Sequence, residues 1–208
     1  MAHRVEIASA AHARLGEGSY WDADRKVLYW VDIDGMRLFI FQPRTGENRS
    51  FEIGSKIGTV VPKKSGGLLL ALEDCLAEFV PETGSLKRLI PLEADIPENR
   101  SNDGKCDPAG RFWVGSMAPD DHEGGASLYR LEKDYSLCRV LSGVTISNGL
   151  VWSHDRTKMY YIDTPTRHVF AFDYRLETGE ISNRRVCIEI PQGRGFPDGM
   201  TIDEEGID

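Results

Sequence analysis

Short runs rich in β-branched, aromatic and aliphatic residues recur along the chain, separated by Asp-Gly, Gly-Gly and Thr-Gly turns. In the first unit residues 27–33 read VLYWVDI, followed by a turn at Asp34-Gly35 and a further apolar run over residues 36–41. Runs of this length bounded by such turns predict antiparallel hairpins. Similar units recur at residues 67–72, 111–115 and 158–162. Three turns share one ending, PRTG at 43–46, PETG at 81–84 and LETG at 176–179. Each supplies a glycine for a positive φ and fits the link between the two outer strands of a unit. No useful window places apolar residues at helical spacing, so little helix is predicted.

The hairpins are organised by a longer period. Gly18, Gly58, Gly104, Gly149 and Gly199 each open a similar stretch, roughly 40 to 50 residues apart, the range of one propeller blade or solenoid turn. Four strands per unit at this period predict an all-β chain and a β-propeller, with the first strand of each blade lining a central channel. Counting from Gly18, four units end near about residue 195, and a fifth breaks off at Ile207-Asp208. The expectation is a single propeller domain over residues 1–208, incomplete at its C-terminus, with four to five blades present. Trp21, Trp113 and Trp152 recur once per unit and are expected between blades.

The residues before the five glycines are Glu17, Ile57, Asp103, Asn148 and Asp198, and four of them carry a side-chain oxygen. Equivalent positions of a propeller converge on its axis, and oxygen ligands from separate repeats suit a hard divalent cation. Taken singly, Asn148-Gly149 and Asp198-Gly199 read equally as hairpin turns, and Glu17 as a turn carboxylate. Their equivalence in the repeat is what favours a site. Asp103 is either a further channel residue or a support for one, and Lys105 reads as structural or charge-balancing.

Composition narrows the classes. A formal charge of -8 gives no basic face with which to displace counterions from nucleic acid. Cys75, Cys106, Cys138 and Cys187 form no CxxC pair, and the five histidines are scattered without zinc-site spacing. Buried, reduced thiols are expected. The N-terminus shows no long apolar run, which predicts neither signal peptide nor membrane span and makes a cytoplasmic protein the default. A GxSxG nucleophile elbow is absent.

Four segments in order, LGEGSYWD at 15–22, RSNDGKCDPAGRFWVGSM at 100–117, SNGLVWSHD at 147–155 with YYIDT behind it, and FPDGMTIDEEG at 196–206, resemble the SMP-30/gluconolactonase/regucalcin-like family. The resemblance implies a six-bladed propeller that binds a divalent metal and hydrolyses sugar lactones. It makes Glu17, Asn148 and Asp198 the metal ligands, with Asp198 also the general base. Arg100 and Asn102 would hold substrate oxygens, and Asp120 would contact substrate from a loop over the mouth, a role open also to Asp121 or Glu123. The chain departs from the family in Ser19-Tyr20, where Pro is usual after the first Glu-Gly, in Ser116, where Thr is common, and in the missing C-terminal blades.

An all-oxygen site favours calcium, with magnesium, manganese or zinc as alternatives. The implied reaction is attack of metal-activated water on the lactone carbonyl to give an aldonic acid. Two other classes share the scaffold, a calcium-binding regulatory or scaffold propeller without catalysis and a phosphoester or organophosphate hydrolase. Arg100 and Asn102 beside the open face favour catalysis over a purely structural metal.

Overall fold

The computed structural model describes residues 5–119 and 122–206. The described residues form four four-stranded antiparallel sheets, each running in chain order from its first strand to its fourth. Blade 1 holds β1 (Gly16–Asp22), β2 (Val27–Asp32), β3 (Arg37–Gln42) and β4 (Glu47–Glu52). Blade 2 holds β5 (Ile57–Pro62), β6 (Leu68–Leu72), β7 (Cys75–Val80) and β8 (Ser85–Pro91). Blade 3 holds β9 (Arg100–Cys106), β10 (Phe112–Met117), β11 (Ala126–Leu131) and β12 (Leu137–Val144). Blade 4 holds β13 (Ser147–Trp152), β14 (Lys158–Asp163), β15 (His168–Tyr174) and β16 (Ile181–Glu189). Among the described residues the sole helical piece is one 3-10 turn, Thr164–Thr166. This is the β-propeller that the repeat predicts, built from blades meeting along their inner strands.

The Thr-Gly turns fall where the sequence places them, between β3 and β4, β7 and β8, and β15 and β16. Gly46, Gly84 and Gly179 adopt φ of 74°, 70° and 70°, a region that other residues enter only with strain. The periodic glycines serve a different purpose. A Cβ on Gly58 would lie 2.4 Å from the Asn102 carbonyl oxygen, and one on Gly104 would lie 2.5 Å from the Trp113 oxygen. Neighbouring backbones approach this closely only because those positions lack a side chain.

Beside these glycines each inner strand slips register against its second strand, between Glu17 and Tyr20, Ile57 and Thr59, and Asn148 and Leu150. Blade 3 shows the same slip opposite Val114 and Ser116. A bulge at that point bends the strand and re-aims the residues beside it. Glu17, Asp103 and Asn148 consequently line the axial cavity, whereas Ile57 is fully buried in the core between blades 1 and 2.

Three apolar layers fill the spaces between successive blades. Blades 3 and 4 are also joined by a buried polar knot. Asp107 Oδ2 accepts hydrogen bonds from Arg111 Nε at 2.7 Å, Trp113 Nε1 at 3.0 Å and the Tyr174 hydroxyl at 2.8 Å. A second recurrent device closes the inner end of a blade. Asp32, at the end of β2, accepts from the Arg14 and Leu15 amides at 3.0 Å each. Asp163, at the end of β14, likewise accepts from the Thr145 and Ile146 amides.

Three expectations are corrected. Trp113 and Trp152 are buried and meet edge to face at 5.7 Å, but Trp21 is 50% exposed. Trp21 follows Tyr20 along β1 and so takes the opposite face of the strand from the side chain that packs against the core layers. Cys75 is buried and Cys106 half-buried, yet Cys138 and Cys187 are exposed, because β12 and β16 are outer strands that face solvent. Gly199 begins no strand among the described residues, since an inner strand takes its ladder from the second strand of its own blade and none is described beyond it. The segment instead lies against β13, where the Gly149 amide donates to the Asp198 carbonyl at 3.2 Å. Met200 and Ile202 pack on the uncovered face of blade 4.

Candidate functional site

A cavity of about 920 Å³ occupies the axis. Its lining includes Glu17 from β1, Arg100, Asn102, Asp103 and Lys105 from β9, Asn148 from β13, and Asp198 from the segment beyond blade 4. Five of the six residues predicted for the site are therefore gathered in one place from distant parts of the chain. Asp120 and Asp121 lie outside the described residues. Glu123, the other acidic residue considered for that loop, is exposed and does not belong to the lining.

The lining sets three carboxylates, Glu17, Asp103 and Asp198, beside two cations, Arg100 and Lys105. Glu17 stays exposed on the cavity wall, but partial burial, with the neighbouring charges of Asp198 and Asp103, raises its carboxyl above its ordinary range. Burial also raises the Asp103 carboxyl, against the opposing effect of its hydrogen bond from the Gly104 amide. Carboxylates that repel one another across a channel are stabilised by a cation. Two carboxylates with an amide carbonyl form a donor set of the all-oxygen kind. Among the described residues no group of three or more His, Cys, Asp or Glu side chains is placed to hold a metal ion. The expected set thus depends on Glu17, Asp198 and the Asn148 amide together.

Polar contacts fix the remaining groups. Arg100 Nη1 donates to the Ser101 carbonyl at 2.8 Å and to Asn102 Oδ1 at 3.0 Å. Burial lowers the Arg100 pKa, with Asp34, Glu73 and Glu17 opposing the effect. Asn102 Nδ2 donates to the Ser147 carbonyl at 2.8 Å and approaches Asn148 Oδ1 at 3.4 Å. Since a guanidinium only donates and a carbonyl only accepts, the Asn102 amide has one possible orientation. Both its ends are engaged by protein, and the second lone pair of Oδ1 is what it offers a ligand. Lys105 Nζ donates to the Met200 carbonyl at 3.1 Å, tying the Asp198 segment to β9, in keeping with a structural role.

Thr164 was missed by sequence reasoning. It lines the cavity and bonds Asn148 Nδ2 at 2.8 Å and the Pro197 carbonyl at 2.9 Å. The signal was available in the repeat. Residues 29–33 read YWVDI and residues 160–164 read YYIDT. In both, the residue after the aspartate donates its amide in the same way, Ile33 to Leu15 and Thr164 to Ile146. A hydroxyl thus stands in blade 4 where blade 1 has a buried aliphatic side chain.

Four-stranded blades whose inner strands deliver carboxylate, amide and guanidinium groups into one axial cavity define a β-propeller with a polar channel site. The SMP-30/Gluconolactonase/LRE-like region matches residues 15–207, and the chain belongs to that family. Regucalcin of Xenopus laevis is 37% identical over 208 residues, covering 98% of this chain and 70% of that protein. The pentonolactonase XacC of Haloferax volcanii is 39% identical over 193 residues, covering 93% of this chain and 65% of the relative. A solved structure described as a calcium-binding protein, regucalcin, from Agrobacterium tumefaciens superimposes with a TM-score of 0.91 at 26% identity, over 96% of this chain and 68% of that one.

Proposed function

We propose that this chain carries the reaction centre of a divalent-metal-dependent hydrolase that opens a sugar lactone to the aldonic acid. The observation that carries the reading is the convergence of Glu17, Asn148 and Asp198 with Arg100 and Asn102 in one cavity. Glu17, Asn148 and Asp198 would hold the metal, with calcium the first choice and magnesium, manganese or zinc next. The donor chemistry fits, since the carboxylates supply charge and the amide a neutral oxygen, leaving positions free for water and substrate. When bound, the metal supplies Lewis-acid activation of water and carbonyl.

The protein's own groups do the remainder. Asp198 accepts the proton that water loses as its oxygen forms a bond to the lactone carbonyl carbon. Arg100 anchors sugar hydroxyl and carbonyl oxygens through its further N–H groups, and Asn102 orients the ring from Oδ1, so that binding energy goes into positioning. Collapse of the adduct breaks the ring C–O bond, and a proton returns to the departing ring oxygen. The pentonolactonase relative supports this substrate class, and the calcium-binding neighbour supports the metal. Arg100 separates the reading from a metal site that only binds, because a structural cation needs no guanidinium beside it.

The test is titration of calcium, manganese and zinc into the chain and into Asp198→Ala, followed by acid release from gluconolactone and a pentonolactone. Stoichiometric binding and metal-dependent acid release, both abolished by the substitution, are expected. Binding without acid release from any lactone would leave the regulatory reading in its place, and a folded chain that binds no cation would remove the site altogether.

A further inference from the structure

The cavity holds two primary amides, and an amide presents a ligand oxygen only when turned the right way. Its two ends have the same shape, so packing alone does not distinguish Oδ1 from Nδ2; the hydrogen-bond partners must. For Asn148 the close partner is Thr164, at 2.8 Å, while Asn102 Nδ2 reaches its other end only at 3.4 Å. The Pro197 carbonyl, 2.9 Å from the Thr164 hydroxyl, can only accept. Thr164 has one hydroxyl proton, and it is committed there. Toward Asn148, at 2.8 Å, the hydroxyl oxygen can then only accept, which requires the Asn148 NH2 on that side. The other amide atom, Oδ1, is left facing Asn102 and the cavity.

We infer that Thr164 is a positioning residue that sets the Asn148 amide with its oxygen toward the cation. The inference rests on the proposed metal site and adds to it a residue outside the expected ligand set. One hydroxyl serves two of the three expected ligands, since the carbonyl it holds belongs to the residue immediately before Asp198. The backbone on the other side is pinned independently, by the Gly149 amide on the Asp198 carbonyl and Lys105 on the Met200 carbonyl. The Thr164 backbone is held by the hydrogen bond its amide donates to the Ile146 carbonyl at 3.1 Å.

The direction of the bonds gives the test a form that a purely structural role would not satisfy. Thr164→Val keeps the shape and removes the hydroxyl, so Asn148 loses the acceptor that holds its NH2. Outer-sphere partners of metal ligands typically contribute about 10- to 100-fold in affinity. Calcium and manganese affinities, measured by calorimetry on the full chain, are expected to weaken at least about tenfold in Thr164→Val and to stay within about threefold of the parent in Thr164→Ser. A carboxylate presents an oxygen whichever way it turns. In an Asn148→Asp background the Thr164→Val penalty is therefore expected to shrink below about threefold. Circular dichroism of each variant accompanies the titrations, and the Thr164→Ser comparison decides the outcome if the valine variant does not fold. A serine variant as weak as the valine one, an unchanged affinity in folded Thr164→Val, or an equal penalty in both backgrounds overturns the inference. Cation binding by the parent that Asp198→Ala abolishes, together with any of those results, sinks the Thr164 role alone. A folded parent that binds neither cation removes the site and this inference with it.

Discussion

Replacing Gly58 by alanine tests the axial packing on which the cavity depends. Gly58 has no positive φ, so alanine can adopt its backbone and the consequence is steric alone. The added methyl would stand 2.4 Å from the Asn102 carbonyl oxygen, 2.7 Å from the Ser101 carbonyl carbon and 2.7 Å from the Ser101 hydroxyl. Two of those atoms are backbone and cannot rotate away. Relief to ordinary contact requires β5 and β9 to separate by roughly 1 Å, and overpacking of this kind costs about 1–3 kcal/mol. With a urea m-value of about 2 kcal/mol per molar, a 2 kcal/mol loss lowers the unfolding midpoint by about 1 M.

The displaced strand carries Arg100 and Asn102, so the chemistry should suffer beyond the stability. A shift of about 1 Å in a reacting group can cost about 100-fold in rate. Gly46→Ala is the control, because its Cβ would meet nothing within 4 Å and only the φ of 74° opposes it. That strain is about 1–2 kcal/mol, with no route to the cavity. Urea unfolding and lactone turnover under conditions where both variants are fully folded separate the two effects. A Gly58→Ala midpoint within about 0.2 M of the parent, with turnover unchanged, would refute the close approach of β5 and β9.

Substitutions elsewhere probe the polar knot, a blade-end carboxylate and the thiols. Asp107→Ala leaves the nearly buried Arg111 charge unpaired and is expected to cost about 3–5 kcal/mol in urea unfolding, whereas Tyr174→Phe, losing hydrogen bonds to Asp107 and Arg111, costs about 1–3 kcal/mol. Amides from Leu15, Arg14 and Gly35 and the Arg37 guanidinium overcome the burial of Asp32 and hold its carboxyl down at about 2. Its stabilising contribution is therefore complete above the ordinary value of 3.8 and is lost as pH falls from there through about 2; thermal melting from pH 5 to 2 should show that slope, and Asp32→Asn should flatten it. Alkylation and mass mapping at neutral pH should label Cys138 and Cys187 readily and spare Cys75, whose thiol burial pushes up to about 11.

The repeat is legible in the chain alone, and the hairpins and the axial residues come with it. Turn chemistry is local, so the Thr-Gly endings named the outer turns and Asp34-Gly35 a hairpin link without any tertiary knowledge. The spacing of Gly18, Gly58, Gly104 and Gly149 marks the inner strands, and at Gly58 a Cβ would meet the backbone of the neighbouring blade. The same spacing places Glu17, Asn148 and Asp198 at equivalent points of the repeat, and all three line one cavity. Features that depend on neighbours distant in the chain were settled by the fold instead. Trp21 fits a blade interface as well as Trp113 does, and only the fold shows that Tyr20, not Trp21, is the side chain that β1 turns toward the core layers. Cys138 and Cys187 look like the buried Cys75 in composition, but the outermost strand of a blade has solvent on it. The orientation of the Asn148 amide was beyond reach for the same reason. It is set by a hydroxyl on the next hairpin and a carbonyl beyond the blade, and one-way hydrogen bonds acquire their direction only once the fold has placed donor against acceptor.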